Sequence, residues 1–156
     1  MIEIEIKLLH HDAKVPQYAT RGSAAVDLCA LKLVYGDFSY DFDRAIIGPG
    51  KSAKFSTGIA VNINNPNIAG LLDGRSGLGF NHGIRLSNCV GVIDSDYLGE
   101  IVMSLHNDSD EIYYINKGDR IAQFLFMPVI RPDFMVVSEF SVETERGING
   151  IGSTGI

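Results

Sequence analysis

Apolar and polar residues alternate along most of the chain, and the period of this alternation is two. Near the N-terminus, Ile2, Ile4, Ile6 and Leu8 alternate with charged residues, which predicts a half-buried strand. Further β-rich runs follow at similar spacing, separated by turn-forming residues. These runs are Ala24–Val34, Ser52–Ile63, Ile84–Ile93, Glu100–Leu105, Ile112–Ile115, Arg120–Met127 and Phe134–Phe140.

The turns between the runs are rich in glycine, proline, asparagine and aspartate, as in Gly48–Gly50 and Asn116–Asp119. No long helical pattern with caps is present, and only Ser76–His82 favours a short turn of helix. Short strands at regular spacing predict an all-β fold, a distorted jelly roll or β-barrel. We expect residues 1–141 to form this domain and residues 142–156 to form a mobile, glycine-rich tail.

The composition is that of one soluble globular domain, with 156 residues, 46% hydrophobic and 21% charged. The apolar run Ile121–Ile130 is interrupted and too short to span a bilayer, and the N-terminus lacks a secretory signal pattern. Cys29 and Cys89 lie in apolar stretches without metal-ligand spacing, which predicts buried free thiols. A reducing compartment suits such thiols, so we expect a cytoplasmic protein.

The formal net charge of −6 argues against nucleic acid or a membrane surface as a partner. A polyanionic ligand would therefore need a local arginine cluster, a divalent cation, or both. The histidines have no paired metal spacing with one another, and we interpret them as structural or surface residues. They are His10, His11, His82 and His106.

The last residues, Val142–Ile156, contain four glycines and few core-forming side chains. One interpretation is a frayed chain end. The other is an anion-binding tail, because Arg146 supplies charge while glycine N–H groups and the Ser153 and Thr154 hydroxyls can donate hydrogen bonds.

Five short segments place polar residues among glycines within the β pattern: Ala24–Leu28, Gly74–Gly79, Gly91–Gly99, Gly118–Gln123 and Arg146–Gly155. In their order and separations they resemble the five motifs of the trimeric dUTP diphosphatase (dUTPase) family. The resemblance implies hydrolysis of dUTP to dUMP and pyrophosphate by attack of water on the α-phosphorus. This reaction keeps uracil out of DNA and supplies dUMP for thymidylate synthesis. The resemblance also implies Mg²⁺ and a homotrimer that shares its active sites.

Asp94 is the candidate general base. It follows Val92 and Ile93, so we expect its carboxylate to emerge at the end of a buried strand. An ordinary polar turn over Asp94–Asp96 is the alternative interpretation. The resemblance assigns Asp94 to the aspartate that deprotonates the attacking water.

The resemblance maps a β-hairpin onto Asn88–Tyr97, whose polar groups read the uracil edge. Tyr97 corresponds to the tyrosine beneath the deoxyribose, where its ring excludes a 2′-hydroxyl, although a core aromatic residue is the alternative interpretation. The residues implied for base recognition are Asn88, Gly91, Val92 and Ile93, with Val102 at the pocket edge.

Phosphate binding is implied for a second set of residues, and Asp27 is expected to hold a water bound to Mg²⁺. Arg120 is expected to form an ion pair between neighbouring strands. The residues implied for phosphate binding are Arg75, Ser76, Gly77 and Gln123, joined by Arg146, Gly152, Ser153 and Thr154 of the closing tail.

Three positions depart from the family pattern. Gly74 replaces a proline, Ala25 replaces a frequent glycine, and Ile151 replaces the phenylalanine that stacks on uracil. An isoleucine covers the base without stacking, which loses roughly 1–3 kcal/mol. We hypothesise that Ile151→Phe lowers the Michaelis constant, and an unchanged value would contradict this. Val34–Ala45 resembles an insertion, which we assign to a surface hairpin.

Two other functions are compatible with parts of the sequence. A dCTP deaminase would need a general-base glutamate beside the nucleobase, and Glu100 is the nearby candidate; ammonia release from dCTP would identify it. A non-enzymatic nucleotide- or protein-binding role is the other, and it would survive the Asp94→Asn substitution.

Overall fold

A computed structural model of the chain describes residues 2–150. This part of the chain contains twelve strands and one short helix, α1 (Ser76–His82), which lies between β7 and β8. The strands are β1 Glu5–Leu8, β2 Val26–Cys29, β3 Lys32–Tyr35, β4 Phe38–Tyr40, β5 Arg44–Ile47, β6 Ser52–Asn62, β7 Ile68–Asp73, β8 Ile84–Leu86, β9 Gly91–Ile93, β10 Glu100–Asn107, β11 Tyr113–Asn116 and β12 Arg120–Pro128.

The strands form three sheets, and all of their pairs are antiparallel. Sheet A has six strands in the order β4-β3-β6-β10-β8, with β1 also paired to β6. Sheet B has the order β2-β12-β7-β9, and sheet C consists of β5 and β11. Side chains from all three sheets meet in one core, which includes Phe55, Phe124 and Ile115. The fold is therefore all-β and jelly-roll-like, as the sequence predicted.

Close packing in sheet B depends on a glycine. A Cβ atom at Gly70 would lie 2.4 and 2.6 Å from two ring atoms of Phe124, which is itself 1% exposed. Gly70 is also the partner of Ile93 in the β7–β9 ladder. Because Gly70 has no side chain, β7 can approach the Phe124 ring of β12 closely while it also pairs with β9.

The short helix and the surface hairpin are confirmed. α1 spans Ser76–His82 and ends at Gly83, whose left-handed conformation (φ 65°) terminates the helix. Within the insertion, β3 and β4 form a hairpin that presents the exposed side chains of Tyr35, Phe38 and Tyr40.

Several strand predictions were wrong. β5 and β7 were not predicted because neither shows clear alternation: Ala45–Ile47 is a continuous apolar run, and β7 is interrupted by Gly70. The run Ile84–Ile93 is divided into β8, in sheet A, and β9, in sheet B. Phe134–Phe140 forms no strand in the described structure, and its residues are exposed. β propensity alone is not enough, because a strand also needs a neighbouring strand for its backbone hydrogen bonds.

Burial also differs from the prediction at two places. All four residues of β1 are exposed, so this strand is not half-buried, because it pairs only with β6 at the margin of sheet A. Cys89 is exposed on the loop after β8, whereas Cys29 is partly buried in β2. No helix within residues 2–150 has the length and apolar character needed to cross a membrane.

Candidate active site

One group of predicted site residues surrounds the carboxylate of Asp27. Arg75 Nε donates to Asp27 Oδ1 at 2.9 Å, and Arg120 NH1 donates to Asp27 Oδ2 at 3.0 Å. Asp27 and Gln123 are directly paired residues of β2 and β12. The ion pair between strands that was expected of Arg120 is confirmed, and Arg75 shares the same carboxylate.

α1 begins immediately beside this group. Arg75 is the residue before the first helical turn, and its backbone is extended. The side chain of Asp73 accepts the Gly74 N–H at 2.7 Å, which holds the chain as it leaves β7. Ser76 and Gly77 are exposed at the start of the helix, where N–H groups have no acceptor within the helix. These two residues therefore offer donors to a bound anion.

A cavity of about 230 Å³ opens next to Asp27 and Gln123. Its other walls come from the loop that precedes β2, including Gln17 and Ser23. The cavity therefore joins the first and fourth of the five sequence motifs through their paired strands.

A second group of predicted residues lies between β8 and β10. Asn88 and Val102 line one cavity of about 260 Å³, together with Leu86, Lys54 and Ser104. Sequence reasoning did not include Lys54 or Ser104. Lys54 in β6 is paired with Ser104 in β10, and both line the cavity with Asn88. This pairing depends on strand register, which no local sequence pattern indicates.

The prediction of a hairpin over Asn88–Tyr97 is wrong, because no two strands within this segment pair with each other. β8 pairs with β10, and the chain between them leaves sheet A to form β9, which pairs with β7 of sheet B. Among the described strands β9 has a neighbour on one side only, so its other edge presents unpaired backbone donors and acceptors. Gly91, Val92 and Ile93 thus form an edge that is open to a ligand.

Asp94 follows directly on β9 and is exposed. The preceding strand is not fully buried, because Val92 is 63% exposed, and the expected burial of this segment was wrong. The chain then turns, with the Tyr97 N–H donating to the Asp94 carbonyl at 3.1 Å, so the polar turn is present. The Tyr97 hydroxyl donates to the Glu100 carbonyl at 3.0 Å, and the Tyr97 ring is half-exposed rather than a core aromatic.

Glu100 is committed to a structural contact. Its Oε1 accepts the N–H of Gly58 from β6 at 2.6 Å. A general base beside a nucleobase needs a free carboxylate. This contact argues against the dCTP deaminase interpretation.

Asp94 and the group around Asp27 lie at opposite ends of sheet B. Gln123 is aligned with Asp73 at the end of β7, whereas Ile93 is aligned with Gly70 near its beginning. Asp94 therefore stands about level with Ala69, and four residues of a strand span roughly 13 Å. Within one chain, Asp94 does not meet the groups around Asp27.

The Asp27 site fits a magnesium ion held through water. Both carboxylate oxygens already accept a hydrogen bond from an arginine, and the side chain is 20% exposed. Direct coordination would have to displace these contacts, whereas Mg²⁺ keeps several waters and binds substrate phosphates. The donor set is consistent with the expected contact to a metal-bound water.

A separate group joins His10, His11 and Asp12, whose possible ligand atoms lie within 4.8 Å of one another. The three residues are consecutive, so no paired metal-ligand spacing marked this group in the sequence. Lys117 donates to Asp12 at 2.8 Å, and this hydrogen bond lowers the pKa of Asp12. The ammonium group thus occupies one of the oxygens that a metal ion would need.

Arg146 contacts only its own neighbourhood in the described chain. Its guanidinium donates to the carbonyls of Asn149, at 3.0 Å, and Gly150, at 3.5 Å. The other predicted residues of the tail lie outside the described residues. They are Ile151, Gly152, Ser153 and Thr154.

Comparison with known proteins is consistent across sequence and structure. The family model described as dUTPase matches residues 11–155. The deoxyuridine 5′-triphosphate nucleotidohydrolase of Hydrogenovibrio crunogenus is 41% identical over 158 residues, covering 99% of this chain and 97% of that protein. The protein of the same name from Haemophilus influenzae is 42% identical over 159 residues, covering 99% of both.

Solved structures agree with this similarity. The dUTPase of Staphylococcus bacteriophage 80alpha with dUpNHpp superposes with a TM-score of 0.84 at 26% identity, covering 100% of both chains. A dUTPase mutant from phage phi11 of S. aureus, described with a structural Mg(II) ion, has a TM-score of 0.74 at 22% identity. It covers 90% of this chain and 99% of that one.

Proposed function

The chain belongs to the dUTPase family, and we propose that its Asp94 activates the water that splits dUTP. The protein is a dUTP diphosphatase, which releases dUMP and pyrophosphate. The oxygen of the attacking water forms a bond to the α-phosphorus while the bond from that phosphorus to the bridging oxygen of pyrophosphate breaks. Asp94 takes the proton of the water. The position of its exposed carboxylate, directly after the edge strand β9, supports this role because a ligand at that edge can reach it.

The open edge of β9 carries the proposal for base recognition. Some backbone N–H and C=O groups of Gly91, Val92 and Ile93 pair with β7, and this pairing holds in position those that point toward the open edge. A rigid row of donors and acceptors selects one base, because a wrong base leaves buried polar groups unpaired. Asn88 and Val102 extend this surface from the adjoining cavity.

Phosphate binding is proposed for the group around α1. Arg75, Ser76 and Gly77 offer a guanidinium, a hydroxyl and N–H groups, and Gln123 offers an amide. Charge-assisted hydrogen bonds of this type hold phosphate oxygens strongly. The tail residues Arg146, Ile151, Gly152, Ser153 and Thr154 are proposed to close over the nucleotide, with residues 142–156 acting as a lid.

The family and a structural relative described with Mg(II) indicate a divalent metal, and we infer Mg²⁺. Asp27 would hold one of its waters. When bound, the ion supplies positive charge to the phosphate oxygens, which offsets the net charge of −6. The two arginines hold the Asp27 carboxylate in position for this contact.

The separation of Asp94 from the group around Asp27 supports a site shared between chains, and we infer a homotrimer. Asp94 and the Arg75 group lie at opposite ends of sheet B, yet both must contact one nucleotide. Reacting groups have to approach within about 3–3.5 Å for catalysis. We therefore propose that one chain supplies Arg75, Ser76 and Gln123, a second supplies Asn88–Tyr97, and a third supplies the tail.

Mixed assemblies test this arrangement directly. Asp94→Asn and Arg75→Ala are each expected to be nearly inactive alone. Co-expression in equal amounts should restore activity to about a quarter of the sites, because each site then draws its two groups from different chains at random. An inactive mixture, or a monomer in analytical ultracentrifugation, would contradict the shared site.

Pyrophosphate release tests the activity itself. dUTP should be hydrolysed with Mg²⁺ present, and dTTP, dCTP and UTP should be poor substrates. Full turnover by Asp94→Asn would refute the role of Asp94. A role in keeping uracil out of DNA and a cytoplasmic location stay predictions of the sequence.

A further inference from the structure

Tyr97 folds back over its own chain, and the residue beneath it is Gly99. A Cβ atom built at Gly99 would lie 2.5 Å from the Tyr97 hydroxyl oxygen and 2.6 Å from the adjoining ring carbon. These distances are too short for any side chain to be accommodated there. The ring can lie in this position only because residue 99 is a glycine.

The far end of the ring is held by a fixed acceptor. The Tyr97 hydroxyl donates to the Glu100 carbonyl, and Glu100 itself is anchored through its carboxylate to the Gly58 N–H. Gly58 stands in β6 with φ +72°, opposite the point where the register of β10 shifts between Glu100 and Val102. The adjoining Thr57 hydroxyl donates to the Ile101 carbonyl at 2.8 Å. Two strands thus fix the carbonyl to which the ring is tied.

We propose that Gly99 is a specificity-determining positioning residue, which holds the Tyr97 ring where it excludes a 2′-hydroxyl. The inference rests on the proposed function and on the placement of the deoxyribose against Tyr97 that the family resemblance implies. Tyr97 is 45% exposed, so its ring has room to swing outward if it is displaced. Gly99 therefore acts through Tyr97 and does not itself contact the nucleotide.

Gly99→Ala isolates this role. The conformation of Gly99 lies outside the left-handed region, so alanine fits the backbone, and the added methyl group meets only the movable end of the Tyr97 side chain. Tyr97→Phe removes the hydrogen bond to Glu100 but keeps the ring. Glu100→Gln keeps an oxygen that accepts the Gly58 N–H and serves as the conservative variant. Gly48→Ala is the matched glycine control, because its Cβ meets only Lys51 Cγ at an ordinary 3.7 Å.

The readout is the ratio of dissociation constants for the α,β-imido analogues of dUTP and UTP, measured by calorimetry with Mg²⁺ alongside the melting temperature. We expect Gly99→Ala to reduce the preference for the deoxyribonucleotide by roughly tenfold or more, with an unchanged melting temperature. Tyr97→Phe should reduce it by about two- to tenfold. Glu100→Gln and Gly48→Ala should retain the wild-type ratio.

An unchanged ratio in Gly99→Ala would overturn the proposal. So would an equal loss of affinity for both analogues with a lower melting temperature, since that marks a merely structural glycine. Binding does not require turnover, so the role of Asp94 is judged separately, by the activity of Asp94→Asn. The two experiments therefore distinguish a failure of the Gly99 proposal from a failure of the Asp94 proposal.

Discussion

Asn107 allows a direct test of how hydrogen bonds stabilise the part of the fold where α1 ends. Its side chain is completely buried and makes four hydrogen bonds. The Nδ2 group donates to the carbonyls of Ile47, at 2.8 Å, and Glu111, at 2.7 Å. The Oδ1 atom accepts from the Ser109 N–H, at 2.9 Å, and from the Ser109 hydroxyl, at 2.7 Å. Asn107 thereby ties β10 to β5 and to the loop beside Gly83, where α1 ends.

Replacement by alanine removes all four bonds. At a net value of about 1 kcal/mol each, the four bonds amount to about 4 kcal/mol, so Asn107→Ala should lower the free energy of unfolding by about 4 kcal/mol or more, because buried groups left unpaired add to the loss. The substitution should leave the residues proposed to contact dUTP intact. Its effect should therefore appear in stability before it appears in activity.

Replacement by aspartate keeps the shape but sets an oxygen against two carbonyl oxygens. In the folded protein the new carboxyl group should stay protonated, with a pKa raised above the usual value of about 3.9. The unfolded chain loses this proton first as pH rises. The stability of Asn107→Asp should therefore match the wild type best below about pH 4 and fall progressively as pH rises through the unfolded pKa toward the folded one.

Urea denaturation measures both effects. Unfolding curves of wild type, Asn107→Ala, Asn107→Asp and the exposed control Asn67→Asp should be recorded between about pH 4 and pH 8. The control should follow the wild type throughout. A constant difference between Asn107→Asp and wild type across this range would refute the reasoning.

Three further predictions concern packing, thiol reactivity and the metal. Gly70→Ala should lower the free energy of unfolding by about 1–3 kcal/mol in urea denaturation, because the buried Phe124 ring cannot yield to the new methyl group; an unaffected stability would contradict this. A thiol reagent near neutral pH should modify Cys89 well before Cys29 by mass spectrometry, because burial raises the pKa of the Cys29 thiol. Labelling of Cys29 should accelerate as pH rises. As a control, Cys29 should be labelled at the same rate in the Cys89→Ser variant as in the wild type. Chelation with EDTA should suppress pyrophosphate release and added Mg²⁺ should restore it, whereas full activity without a divalent ion would argue against the metal.

The all-β fold could be predicted because apolar runs recur at similar spacing between turn residues, and because β10 alternates buried and more exposed residues along its length. The strands β5 and β7 escaped prediction, since neither shows a clear period-two alternation in its sequence. Phe134–Phe140 shows the reverse error. Its residues favour a strand, but a strand forms only where a partner supplies the other half of its hydrogen bonds.

The candidate site divides in the same way. Asp94, Arg75 and Gln123 were proposed from the motifs around them. An ion pair of Arg120 between neighbouring strands was predicted, although its partner, Asp27, was not. The pairing of β9 with β7 was not predicted, and neither was the second arginine on Asp27. Lys54 beside Asn88 was also missed, because contact across strands depends on register rather than on neighbouring residues.

The sequence by itself indicated which residues are candidates for chemistry and determined that the chain would fold into β sheets, because side-chain type and alternation are local properties. Only the tertiary structure decided which residues meet. It placed Asp94 and Arg75 at opposite ends of one sheet, and it laid Tyr97 over Gly99. Such relations follow from strand order and register, which are set by the packing of the whole core and cannot be derived from any one segment.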